Sequence, residues 1–190
     1  MLVGGSQCGK STYCEQIIKE RERLIYPCDF KKIIWYSPTG TTNKSLKEVE
    51  YVTDLPDLQS IPANSLLVLD DCFTQLLNTS EFTNFIIREV HHRNLFLLFI
   101  NHSLFSPSRF GRAANVNFQY LILFNNPRDK LTCSNLARQT IIGKKLDTAY
   151  KMVTCEAFQP ILIDFTQCCE NKYRLRSHIF SKDICSRFYY

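Results

Sequence analysis

The residues that most constrain this chain stand at its start. Gly4, Gly9, Lys10 and Ser11 of MLVGGSQCGKST satisfy the pattern G-x-x-x-x-G-K-[ST]. Such a loop joins a strand to a helix, and its backbone N–H groups wrap the phosphates of a nucleotide. Gly4, Gly5, Ser6, Gln7, Cys8 and Gly9 are therefore expected to line the phosphates, with Thr12 at the helix start. Lys10 is placed to reach the β- and γ-phosphates, and the Ser11 hydroxyl to ligate magnesium. The helix is written in STYCEQIIKERERLI, where Ile17, Ile18, Leu24 and Ile25 are spaced to pack on a sheet. The strand is not, because only Met1, Leu2 and Val3 precede the loop. Crossing a sheet takes about five or six residues. A true start upstream, with the first strand truncated here, is the favoured expectation. A decaying element, or a short strand tolerated because the helix anchors the loop, are the others.

At 190 residues the chain suits one domain spanning 1–190, with length for a sheet covered on both faces. Its longest apolar run, LFLLFI at 95–100, is far too short to span a bilayer and reads as a buried strand. Nine cysteines, with no C-x-x-C pair, carry no zinc spacing and point to free thiols in a reducing compartment. A net charge of +5 permits nucleic-acid binding without arguing for it.

Five short apolar runs read as strands: KIIWYS (32–37), SLLVLD (65–70), LFLLFI (95–100), QYLILF (119–124) and PILIDF (160–165). Each is nearly continuous rather than alternating, as in a parallel sheet buried on both faces. Helices are expected after the loop, over 80–92 and over 128–140, and KYRLRSHIF (173–181) as a final edge strand. The rhythm is βαβ, so the fold predicted is α/β, a mostly parallel sheet flanked by helices.

SLLVLDD delivers Asp70 and Asp71 at the carboxyl end of its strand, the edge where ligands bind in open α/β sheets. A first acid there holds magnesium through its water shell, and a second orients and deprotonates a water. Strand ends also carry Asp because Asp caps helices. Some sixty residues after a phosphate loop, the functional reading is preferred. Asp71 favours hydrolysis over phosphate transfer to a bound substrate, since a kinase gains nothing from activating water. The next buried strand releases Asn101, His102 and Ser103. A polar tip there suits contact with the γ-phosphate or the attacking water, with simple strand-end polarity as an even alternative.

HHRN before a hydrophobic strand, then QYLILFNNPRD and LARQ, resembles the genome-packaging ATPases of the FtsK/HerA superfamily. The resemblance is strongest to those of Polinton-like elements, adintoviruses and virophages, with the poxvirus packaging ATPase more distant. It covers nearly the whole chain, from Gly4 to about 180, and HHRN…NPRD…LARQ is its specific part. It implies a P-loop NTPase core of the RecA-like, additional-strand type, ATP with Mg2+, and a homo-oligomeric ring around double-stranded DNA. It also implies capsid or portal partners, no membrane, and a place inside the host cell or with the virion. It sets the strand ending at Asn101 between the loop strand and the Asp-Asp strand. Relatives carry glutamine at the strand tip where His102 stands, and histidine cannot reproduce an amide's donor–acceptor pair.

Ring ATPases commonly borrow an arginine from the neighbouring subunit. Arg93 is the first choice and Arg128 the next, with Arg109, Arg112 and Arg138 also open; each alone is more often a solvated or helix-terminal residue, and His91, His92 and Arg93 together suit a helix C-terminus. The basic and aromatic stretch LFSPSRFGRAANVN is expected to be a loop, either gripping a DNA backbone or an ordinary surface segment. Lys144, Lys145, Arg174 and Arg176 add scattered charge without base-specific readout. A helix N-terminus favours a thiolate, which would make Cys8 reactive; a buried inert thiol is the competing view. The sequence thus points to an ATP hydrolase that translocates double-stranded DNA into a capsid. The alternatives are a small P-loop kinase and a nucleotide-binding remnant without turnover.

Overall fold

A computed structural model of the chain describes residues 1–40, 44–72, 76, 79–105, 108–129, 131–181 and 186–187, with the side chains of Arg109, Ser186 and Arg187 outside the description. In chain order the strands are β1 (Leu2–Val3), β2 (Lys32–Tyr36), β3 (Val49–Val52), β4 (Ser65–Asp70) and β5 (Phe96–Asn101). They continue with β6 (Tyr120–Leu123), β7 (Ile161–Asp164), β8 (Leu175–Ser177) and β9 (Ser186–Arg187). The α-helices are α1 (Lys10–Lys19), α2 (Arg21–Leu24), α3 (Ser80–Asn84), α4 (Val90–His92), α5 (Arg109–Asn115), α6 (Leu131–Gln139) and α7 (Lys144–Val153). The architecture is α/β, with mostly parallel strands flanked by helices. Two compact units emerge, one made of Met1, Ser11–Asn101 and Phe105–Asn117, the other of Leu2–Lys10, His102–Leu104 and Phe118–Tyr190.

In the first unit the strand order is β3-β2-β4-β5, and every pairing is parallel. The central β4 explains its own sequence. Leu66, Leu67, Val68 and Leu69 are wholly buried, because a strand paired on both edges and covered on both faces has no solvent side to mark with polar residues. The segment 80–92 is one continuous helical run, α3 leading through a π-helical turn (Phe85–Glu89) into α4. Thr79 caps it by accepting the Phe82 N–H. Phe82 then packs against Phe99 of β5 with ring centroids 5.7 Å apart. β5 lies beside β4, the half of the implied strand order that falls within this unit.

In the second unit β1 pairs in parallel with β6, while β6-β7-β8-β9 is an antiparallel run. PILIDF is thus a buried strand but not a parallel one; an apolar run reports burial, not direction. β8 falls within the segment expected to form the final edge strand, but it pairs with β7 on one side and β9 on the other, so it is an inner strand. β1 has two residues, both buried, and the Phe124 N–H donates to the Val3 carbonyl at 2.8 Å to carry the pairing one step further. The elements not anticipated include β3, β9, the amphipathic α7, and α5, which occupies the stretch read as a loop. Ser108 nucleates α5 by accepting the Phe110 N–H at 3.2 Å, a side-chain cap inside a segment that composition alone marks as irregular.

Candidate functional site

The phosphate-loop residues of the second unit are held by close packing. A Cβ on Gly4 would stand 2.6 Å from the Cβ of Phe124 and 2.7 Å from the Cys8 sulfur, so no other residue fits. Gln7 and Gly9 take left-handed backbone, φ 59° and 91°. Ser6 and Gln7 are exposed, and Gly5, Cys8 and Gly9 half-buried. Lys10 curls back over the loop, its Nζ donating to the carbonyls of Gly4 at 2.9 Å and Gly5 at 2.6 Å. The residue is 7% exposed. A desolvated ammonium held by neutral carbonyls is poised to take an anion instead.

α1 begins at Lys10 and carries Ser11 and Thr12 on its exposed first turn. The Ser11 hydroxyl donates to Oδ2 of Asp70 at 3.1 Å. Asp70 ends β4 and is 8% exposed. Parallel register sets Asp70 opposite Ile100 of β5, so Asn101, 2% exposed, is the next residue along. Asp71 follows with φ 53° and is exposed. Left-handed backbone costs a residue with a Cβ about 1 kcal/mol, least for Asp and Asn, and it turns Asp71 out of the strand line. His102 is exposed and belongs to the second unit. Of the two strand-tip candidates, Asn101 is thus the buried one next to the Asp70 register.

The electrostatics around Asp70 keep its neighbours neutral. Burial first, and the Asp70 charge second, push the Cys72 thiol up to about 12 and raise that of Cys14 as well. Both thiols stay protonated near neutral pH. The set Ser11 hydroxyl plus Asp70 carboxylate is hard oxygen, the kind magnesium takes together with waters. Among the described residues no group of three or more His, Cys, Asp or Glu could hold a metal.

The first-choice arginine, Arg93, is engaged within its own chain. Arg93 caps α4, its guanidinium donating to the carbonyls of Leu58 at 2.9 Å and of Ile61, with Glu89 at 3.8 Å. Those bonds staple the 58–61 turn to the helix end and are made within the chain. Arg112, Arg128 and Arg138 are exposed. Arg174 and Arg176 are not surface charge. Arg174, 8% exposed, donates to the carbonyls of Asp164 and Thr166 at 2.9 Å each, and Arg176 pairs with Asp164 at 3.1 Å. Lys144 and Lys145 are exposed at the start of α7.

One residue escaped sequence reading. β1 runs parallel to β6, with Val3 opposite Leu123, and β7 runs antiparallel, with Ile161 opposite Leu123. The chain after Val3, the chain after Leu123 and the chain before Ile161 therefore meet at one edge of the second unit. Asn126 lies against Gly5, where a Cβ would come 3.4 Å from its Oδ1. Phe158 lies against Gly9, where a Cβ would come 3.3 Å from its Cδ1. Phe158 is 69% exposed with φ 62°. In CEAFQP no periodicity marks it; only antiparallel β7 brings it to the loop.

No protein-family model matches this sequence, and none of the curated proteins does. Solved structures match the fold. The genome packaging NTPase B204 of Sulfolobus turreted icosahedral virus 2, in complex with sulfate, superposes with a TM-score of 0.60 at 15% identity, covering 87% of this chain and 90% of that one. The same protein in complex with ATP-γ-S gives 0.57 at 12% identity, covering 86% and 90%. The DNA-packaging ATPase B204 of Sulfolobus turreted icosahedral virus gives 0.57 at 12%, over the same shares. The fold of this chain is the P-loop NTPase fold that B204 has.

Proposed function

We propose that the chain is an ATP hydrolase of the viral genome-packaging kind, a motor that moves double-stranded DNA into a capsid. The observation that carries this reading is the 3.1 Å bond from Ser11 to Asp70, which joins the loop serine to the strand-end acid as a magnesium–nucleotide site requires. The fold shared with B204, a packaging NTPase described with ATP-γ-S, supports it. HHRN, NPRD and LARQ support the narrower placement with FtsK/HerA enzymes of Polinton-like elements, adintoviruses and virophages.

In this reading the amides of Gly4–Gly9 cradle the phosphates and Lys10 trades the Gly4 and Gly5 carbonyls for phosphate oxygens. Magnesium, when bound, neutralises charge on the β- and γ-oxygens. Ser11 and Asp70 hold it, Asp70 through water. Asp71 orients and deprotonates the attacking water. Asn101 or His102 contacts the γ-phosphate and couples its loss to the rest of the chain. With Arg93 tied to its own backbone, Arg128 becomes the arginine offered to a neighbouring subunit of a ring. Partners are duplex DNA, held without sequence preference, and capsid or portal proteins, inside the host cell or with the virion. No helix among the described residues is long and apolar enough to cross a membrane.

The test is steady-state ATP hydrolysis with and without double-stranded DNA, beside a Lys10→Ala control. DNA-stimulated turnover that disappears in the control is the expected result. Nucleotide binding without turnover by folded protein would overturn the motor reading.

A further inference from the structure

We infer that Phe158 is the platform on which the base of a bound nucleotide stacks, an inference that rests on the nucleotide-binding reading above. Three observations within the second unit carry it. The residue is a large apolar side chain left 69% exposed, where burial would otherwise be favourable. It lies against Gly9, so one part of the ring is seated on the phosphate loop and the rest is open. It is held there at φ 62°, a conformation that bulky residues avoid and that persists where the surroundings demand it.

The topology explains the placement. β7 enters the sheet antiparallel to β6, so the residues preceding Ile161 arrive at the edge where the loop leaves Val3. A nucleotide whose phosphates lie in the loop extends its ribose and base away from the loop, and needs an apolar surface beside the phosphates. Phe158 is an exposed aromatic that touches the loop. On the other flank, Asn126 lies against Gly5 and Tyr150 donates its hydroxyl to the Phe124 carbonyl at 3.0 Å. The segments following β6 and preceding β7 are thereby fixed beside the loop. Stacking is tolerant of base identity, so this platform holds a base without choosing among bases.

The experiment compares the affinity of the full chain for ATP and for inorganic tripolyphosphate, both with magnesium, by calorimetry. Tripolyphosphate fills the loop but has no base. Phe158→Ala is expected to weaken ATP binding by about tenfold or more, the scale of one lost base–aromatic stack, and to leave tripolyphosphate binding unchanged. Equal loss for both ligands would overturn the inference, because Phe158 would then only support the loop. Unchanged ATP affinity would also overturn it. If wild-type protein binds neither ligand, the nucleotide reading itself fails. Phe158→Trp gives a second readout should the alanine variant not fold. Its indole fluorescence should be quenched by ATP and not by tripolyphosphate, over a constant background from buried Trp35. A signal blind to both, with binding intact, would count against the platform.

Discussion

Ser11 and Asp70 stand 59 residues apart in sequence and are joined by a hydrogen bond of 3.1 Å from the serine hydroxyl to Oδ2. The bond links the first turn of α1 to the end of β4, so two elements that share no local sequence present their oxygens together. Hydroxyl and carboxylate are both oxygen donors, the ligand type that magnesium takes directly or through its waters.

Asp70→Asn keeps the size of the side chain and removes its charge. ATP turnover should fall by about a hundredfold or more, the scale of a positioned catalytic group, with the far-UV spectrum unchanged. Ser11→Ala should fall similarly, and the double variant should be no worse than the worse single one, because the two residues act as a unit. Additive losses in that cycle would mean that they serve separate sites.

Lys10 carries its charge against two carbonyls in a nearly closed environment. Removing it takes the donor from the buried Gly4 carbonyl, so Lys10→Ala should lose about 1–3 kcal/mol of stability without ligand. With nucleotide at a hundredfold excess over its dissociation constant, the wild-type chain should gain about 2.7 kcal/mol of stability. Lys10→Ala should gain nothing that a thermal melt can resolve. A melt that rises with ATP in both proteins would place binding elsewhere.

Arg93 is a fold residue on this geometry. Arg93→Ala takes the donor from the carbonyls of half-buried Leu58 and buried Ile61, and a buried group left unmade costs about 1–3 kcal/mol. Urea unfolding should show a loss in that range, with Arg93→Lys recovering part of it and turnover per folded molecule unchanged. A variant of wild-type stability that no longer hydrolyses ATP would restore Arg93 to a neighbour's site.

The sequence made the repeating parts legible. All five apolar runs are strands within a residue or so of their expected ends, and 80–92 is helical throughout. What it hid depends on partners far along the chain. PILIDF carries no mark of direction, so antiparallel β7 and the arrival of Phe158 beside Gly9 had no local signal. α5 needed its Ser108 cap weighed above the glycine and polar residues around it. Arg93 read as an arginine for a neighbouring subunit or as a helix-terminal charge, because nothing in HHRN reveals the 58–61 turn that its guanidinium binds. Asp70, by contrast, followed from four apolar residues ending in an acid after a phosphate loop.

Asp129, in NPRD, caps α6, and its contribution should depend on pH. Its Oδ1 accepts the N–H groups of Leu131 at 3.2 Å and Thr132 at 3.0 Å, and its Oδ2 the Thr132 hydroxyl at 2.5 Å. The hydroxyl bond above all, helped by the two N–H groups against an opposing effect of burial, holds the carboxyl below its ordinary value. A carboxylate favoured in the folded state stabilises it above the unfolded pKa, near 4, and that stabilisation is lost as pH falls through the lower folded value. Asp129→Ala should therefore cost about 1 kcal/mol at pH 7, as a lost cap does, and progressively less below pH 4. Thr132→Val removes the hydroxyl but not the N–H groups, and should remove most of the pH dependence while keeping part of the cap. Urea denaturation of the three proteins at pH 7 and pH 3 measures both effects. A gap between wild type and Asp129→Ala that stays constant across that range would show that the charge of the cap contributes nothing and its shape everything.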